Sequence, residues 1–176
     1  MARTALDHSK IVLGGILPSN VERADRAMSQ LTDVHFPDAQ YRTLFLLVER
    51  YVESYGGVLS RKQLDDILST QKVDAGKVAL YLEMYDTLAK SEITDDEFRW
   101  SMDQLKELSA ERQTAEAITS GMEILNRGIK SDKGEDLIGH QSARAHVLEK
   151  FADIDRELAK QDSPEGDARQ EADELW

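Results

Sequence analysis

The four histidines are the residues best suited to bind a metal ion or to transfer a proton. They lie at His8, His35, His140 and His146. None has a second histidine or a glutamate at the spacing that places two metal ligands on one helix face. The sequence therefore predicts no metal site. We expect His140 near the start of a helix and His146 on a solvated face.

Motifs for nucleophilic catalysis and phosphate binding are missing from the sequence. It contains no cysteine, no Gly-x-Ser-x-Gly and no Gly-x-x-x-x-Gly-Lys-Ser/Thr. The acid pairs Asp65–Asp66 and Asp95–Asp96 splay about 100° apart on a helix, which favours a solvated surface over a substrate site. Gly14–Gly15 lies inside a helical pattern, where close packing explains it better than a phosphate loop. We therefore predict no catalytic or cofactor-binding residue and no enzymatic activity for this chain.

The charge of the chain is unevenly distributed. Net charge is -12 over 176 residues; residues 1–90 carry 11 basic and 12 acidic side chains, whereas residues 91–176 carry 11 and 22. The acidic second half would repel nucleic acid, so we expect little direct DNA binding. It fits solubility, or docking on basic protein surfaces. Without cysteines or a membrane-spanning apolar run, the chain is expected to be cytoplasmic.

Apolar residues at helical spacing predict an all-α protein that begins with a compact head. The head is expected to span residues 1–91 and to contain about five short helices. The first helix ends before Pro18, with Leu6, Leu13 and Leu17 on one face, and Val21 belongs to the apolar stripe of the second. Capping boxes are predicted at Ser19–Glu22, Ser60–Gln63 and Thr94–Glu97, and helices are predicted to begin at Asp38 and Asp74.

Residues 92–160 are predicted to form a long antiparallel helical hairpin, followed by a linker over 161–176. Its first arm begins after Thr94 and exceeds 30 residues, because no proline or tight-turn signal occurs before Gly128. Its second arm is expected to run from Leu137 to Leu158. Trp100 neighbours the Phe98 stripe and is interpreted as core.

A two-helix hairpin has one internal seam, so the apolar residues that face away from it are predicted to form an oligomer interface. Adjacent pairs such as Val147–Leu148 point about 100° apart, so one member can face the partner arm while the other faces outward. The predicted interface residues are Leu125, Ile129, Leu137, Val147, Leu148, Phe151, Ile154 and Leu158. Phe151 is the strongest candidate, although it could also seal the hairpin internally. Leu175 and Trp176 are predicted to dock on a partner protein, unless they belong to a longer chain.

The order of several short motifs resembles the amino-terminal part of DnaB-family replicative DNA helicases, particularly those of phages and their actinobacterial hosts. The resemblance covers nearly the whole chain, and it rests on the order of the matching segments. They are Val12–Leu17 (VLGGIL), Phe36, Tyr41–Phe45 (YRTLF), Gly57 with Leu64 and Leu68, Gly139-His140 with Ala143-Arg144, and Ser163–Asp167 (SPEGD).

The resemblance implies a helical head and hairpin that form a non-catalytic collar on a hexameric helicase ring and bind primase or a helicase loader. In that family a RecA-like motor, which holds ATP and Mg²⁺, follows the collar. No motor motif occurs in this sequence. The chain is therefore interpreted as the collar part of a longer helicase or as a motor-less relative. The alternative is a free-standing helical adaptor or inhibitor that binds a helicase or another protein.

Overall fold

The computed structural model describes residues 3–17, 20–130 and 136–161. Within these ranges the protein is all-α, which confirms the predicted fold class. The α-helices are α1 (Ala5–Ile16), α2 (Val21–Gln30), α3 (Ala39–Tyr55), α4 (Arg61–Thr70), α5 (Ala75–Leu88), α6 (Asp95–Asn126) and α7 (Gly139–Gln161). A short 3-10 helix covers Asp33–His35, and β1 (Ile129–Lys130) pairs antiparallel with β2 (Asp136–Leu137). Among the described helices, none has the length and apolar composition needed to cross a bilayer.

The helix starts are fixed by side chains that accept hydrogen bonds from the free N–H groups of the first turn. Ser60 and Gln63 form the predicted capping box of α4. The Gln63 N–H donates to Ser60 Oγ over 3.4 Å, and the Ser60 N–H donates to Gln63 Oε1 over 2.8 Å. Asp38 and Asp74 cap α3 and α5, as their positions in the sequence predict.

The other two predicted capping boxes differ from the prediction. The cap of α2 is Asn20, whose Oδ1 accepts from the Arg23 N–H over 3.0 Å, while Ser19 lies outside the described residues. At α6, Thr94 Oγ1 accepts from the Glu97 N–H over 3.2 Å. The Glu97 carboxylate, however, forms an ion pair with Arg3 at 2.7 Å. A distant cation thus competes with the local backbone for this carboxylate.

Residues 1–109 belong to the first of two compact units, and its described part has one apolar core. Helices α1 to α5 all contribute to this core, and the stacked rings of Phe36 and Phe45 have centroids 4.5 Å apart. Phe98, Met102 and Leu105 of α6 are also buried there. The boundary expected at residue 91 therefore lies inside this unit, which extends to Ser109 because the first half of α6 completes the core.

The paired glycines of α1 permit close packing, as the sequence predicts. A Cβ on Gly14 would lie 3.1 Å from the carbonyl oxygen of Leu88. A Cβ on Gly15 would lie 2.5 Å from Cδ2 of Phe98, a distance that real Cβ atoms essentially never show. Helices α5 and α6 thus approach α1 at the two positions that lack side chains.

Three side chains predicted to be buried are exposed. Leu6 and Val21 are 37% and 43% exposed. The buried face of α1 includes the polar residues His8 and Ser9, so it does not coincide with the apolar stripe of the helix. Trp100 is 47% exposed, since it lies edge-on against the buried His8 at the surface rather than in the core.

Candidate protein-interaction face of the hairpin

The second compact unit begins at Ala110 and contains an antiparallel helical hairpin made by the later part of α6 and by α7. Ser120 Oγ lies 2.9 Å from His146 Nε2 across the two arms. The position of Gly121 faces Val147, and that of Gly128 faces Ile138. Residue numbers rise along one arm as they fall along the other. The sequence predicts a solvated position for His146, which is instead half-buried in this contact.

The seam between the arms is formed by small and apolar residues. Ala117, Ile124, Ala143 and Ile154 are all buried. A Cβ on Gly121 would lie 2.4 Å from Cγ2 of Val147, so the arms approach closely only because this position has no side chain.

The tip of the hairpin contains the antiparallel pair β1–β2, in which Ile129 faces Leu137. Helix α7 therefore begins at Gly139 and not at Leu137. Gly128 and Gly139 have φ of +72° and +81°, left-handed conformations that glycine adopts without the strain of a Cβ. Helical periodicity could not separate this short extended segment from the helix that follows it.

Four exposed apolar side chains lie on the same side of the hairpin. Ile118, Met122, Leu125 and Leu148 are 47%, 59%, 56% and 56% exposed, and each follows a seam residue by one position. One residue corresponds to a rotation of about 100° in an α-helix. Because the two right-handed helices are antiparallel, the residue that follows a seam residue points to the same side of the hairpin on both arms. We call this set of four residues the apolar face.

The opposite side of the hairpin is charged. Glu116, Glu123 and Asp153 each precede a seam residue by one position, and all three are exposed. Asp153 also accepts a hydrogen bond from Arg156 over 2.6 Å. The exposed apolar side chains are therefore concentrated on one side of the hairpin, a pattern typical of a surface that binds another protein.

The structure divides the eight predicted interface residues into three groups. Leu125 and Leu148 lie on the apolar face, and Leu158 is also exposed, at 37%. Ile154 is buried, Val147 contacts the Gly121 position, and Phe151 is half-buried. Ile129 and Leu137 are paired in the strands at the tip. Leu175 and Trp176 lie outside the described residues.

Two residues of the apolar face, Ile118 and Met122, are not among the interface residues that the sequence predicts. Ile118 and Met122 precede Leu125 by seven and three positions, which places all three on one stripe of α6. The helical spacing of these three residues is therefore present in the sequence. It is obscured because Ile118 follows a polar stretch and because Ile124, next to Leu125, belongs to the competing pattern of the seam.

Of the remaining histidines, His8 and His35 make side-chain contacts within the head, whereas His140 is exposed. His8 is buried with its Nδ1 3.2 Å from Ser101 Oγ, and His35 Nδ1 accepts from the Thr32 N–H over 2.9 Å. His140 is exposed at the second position of α7, as predicted. Among the described residues, no group of three or more histidine, aspartate or glutamate side chains is arranged to hold a metal ion.

Compared with protein-family models, curated proteins and solved structures, the chain shows no match.

Proposed function

We propose that this chain is a non-catalytic protein-interaction domain that serves as the amino-terminal collar of a DnaB-like hexameric replicative helicase in the cytoplasm. It would join subunits through the hairpin and bind primase or a helicase loader. The motor that binds ATP and Mg²⁺ would be a separate RecA-like domain. The observation that carries this proposal is the apolar face of Ile118, Met122, Leu125 and Leu148.

Two further observations support the proposal. The order of a helical head and an antiparallel hairpin is the architecture that the resemblance implies for a helicase collar. The apolar face also lies on a packed element, because buried seam residues and the Ser120–His146 contact hold the two arms of the hairpin together. A face on a well-packed element needs little ordering on binding, which favours association.

The first test is the mass of the chain in solution, measured by size-exclusion chromatography with light scattering over a wide concentration range. We expect oligomers that dissociate on dilution. Met122→Asp and Leu148→Asp should each give monomers with unchanged helicity. Ile138→Asp is the matched control, since Ile138 is 66% exposed at the tip and lies outside the apolar face. A wild-type chain that stays monomeric at high concentration would contradict the proposal.

The alternative function is a free-standing adaptor or inhibitor that docks on another protein. Positions 91–176 contain 22 acidic and 11 basic residues. This negative charge favours the adaptor function, because an acidic surface is complementary to a basic partner. Intact-mass analysis of the protein isolated from its native source distinguishes the two functions. A helicase subunit would be far heavier than 19.9 kDa, whereas a free-standing adaptor would not.

A further inference from the structure

Helix α7 has a stripe of four residues in which two apolar side chains lie between a basic and an acidic one. Arg144, Leu148, Phe151 and Asp155 are spaced at i, i+4, i+7 and i+11, which places them on one side of the helix. Arg144, Leu148 and Asp155 are exposed, and Phe151 is half-buried. Arg144, Leu148 and Asp155 each follow a seam residue by one position, so the stripe belongs to the side that holds the apolar face.

We propose that the apolar face binds a second copy of the hairpin in one antiparallel register, with Arg144 of each copy against Asp155 of the other. The inference rests on the proposed function and names the partner and the register of the same face. A two-fold contact requires that residue i meets residue j and that j meets i. An axis midway between Glu149 and Lys150 satisfies this condition for the whole stripe. It brings Arg144 onto Asp155 and Leu148 onto Phe151 of the other copy.

The same axis passes close to one apolar residue of the other arm. Gly121 lies opposite Val147 in the seam, so the point midway between Glu149 and Lys150 on α7 is level with Ile118 on α6. The two-fold operation therefore places the Ile118 side chains of the two copies across the axis from each other. Apolar residues at the centre and opposite charges at the rim are the usual anatomy of a specific interface.

The area of the side of the hairpin that carries the apolar face is compatible with a reversible dimer. The 17 residues of α6 from Ala110 to Asn126 span about 25 Å, and two helices side by side are about 20 Å wide. Each copy thus offers about 500 Å² and the pair about 1,000 Å², which is near the lower limit for a specific interface. We expect a dimer that forms and dissociates with concentration.

Charge reversal tests the register. At low salt, Arg144→Asp and Asp155→Arg should each weaken dimerisation at least about tenfold in sedimentation equilibrium, because each creates two like-charge contacts per dimer. The double reversal should restore it to within about threefold. If dimerisation depended only on the net charge of this acidic chain, Arg144→Asp would weaken the dimer and Asp155→Arg would strengthen it. Arg156→Asp is the control, since Arg156 pairs with Asp153 on the side of the hairpin opposite the apolar face.

Cross-linking gives a second measurement that does not depend on charge. The chain contains no cysteine, so introduced cysteines are the only ones present. Positions 144 and 155 of one copy are three helical turns apart, about 16 Å, which is too far for an internal disulfide. Oxidation should therefore convert the Arg144→Cys, Asp155→Cys double variant into a covalent dimer. The Arg144→Cys single variant should give little dimer.

The outcomes separate the register from the proposed function. Dimers that survive both single reversals, or a double reversal that does not restore dimerisation, would overturn the register, even if Leu148→Asp still dissociates them. Efficient cross-linking of the Arg144→Cys single variant would also overturn it, because that outcome needs a different alignment of the copies. A monomeric wild-type chain would instead remove the proposed self-association itself.

Discussion

His8 of α1 lies with its Nδ1 3.2 Å from Ser101 Oγ of α6, and this buried contact joins the first helix of the head to the helix that completes its core. The His8 ring also meets the Trp100 ring edge-on, with centroids 4.9 Å apart. Arg3 lies over the same indole at 5.6 Å and pairs with Glu97. Two adjacent residues of α6 therefore hold both the start of the chain's described part and the first turns of α1.

The stability of the head should fall in mild acid because of His8. Burial lowers the pKa of His8 below its ordinary value of 6.5, and the Arg3 charge lowers it further, while Asp7 opposes both. Since the folded-state pKa is the lower one, the unfolded chain takes up the proton first as pH falls. The stabilising contribution is therefore complete above pH 6.5 and is lost as pH falls from there through the folded-state pKa.

Urea unfolding of the wild type and of His8→Asn between pH 7.5 and 5 measures this effect. We expect the wild type to be the more stable protein at pH 7.5 and the difference to narrow toward pH 5. The comparison with His8→Asn is needed because burial and nearby acids raise the pKa of Glu49. A carboxyl group whose pKa is raised on folding makes the protein more stable as pH falls, which is opposite to the effect of His8. His140→Asn is the control, since His140 is exposed. A difference that does not change with pH would contradict the prediction.

Gly15→Ala should destabilise the head by about 1–3 kcal/mol, because overpacking of a well-filled core costs about that much. The added Cβ would lie 2.5 Å from Cδ2 of Phe98, a ring that is itself buried. Chemical unfolding measures the loss in free energy. Gly57→Ala is the matched control, because its Cβ would have no atom within 4 Å and its φ is not positive. Equal stability losses in both variants would show that the Gly15–Phe98 contact is not the cause.

Gly121→Ala should disrupt the hairpin, and Val147→Ala should partly repair it. The new Cβ would lie 2.4 Å from Cγ2 of Val147, and removing that methyl group relieves the clash. Each single variant should destabilise the hairpin by about 1–3 kcal/mol. The double variant should lose clearly less than the sum of the two losses, a coupling that a double-mutant cycle measures. Additive losses would mean that the arms do not meet at this pair.

The all-α fold and most helix bounds could be predicted because they depend on local chemistry. Asp38, Ser60 and Asp74 cap their helices through bonds that span three residues or fewer. The tip could not be predicted, since the β1–β2 pair is only two residues long on each side and Leu137 continues an apolar helical pattern. The sequence predicts the apolar face only in part, because assigning Leu148 to the outside and Ile154 to the inside requires the register of the seam.

Leu148 and Ile154 of α7 should respond in opposite ways to the same substitution. Leu148 is 56% exposed on the apolar face, whereas Ile154 is 8% exposed in the seam. Leu148→Ala should weaken self-association and change the stability of the monomer by less than about 0.5 kcal/mol, as expected at a surface position. Ile154→Ala should cost the monomer about 2–5 kcal/mol, because it leaves a cavity between the arms. Unfolding at a concentration where the chain is monomeric, combined with sedimentation equilibrium, separates the two effects. If Leu148→Ala lost as much monomer stability as Ile154→Ala, Leu148 would belong to the packed interior and the apolar face would be wrongly assigned.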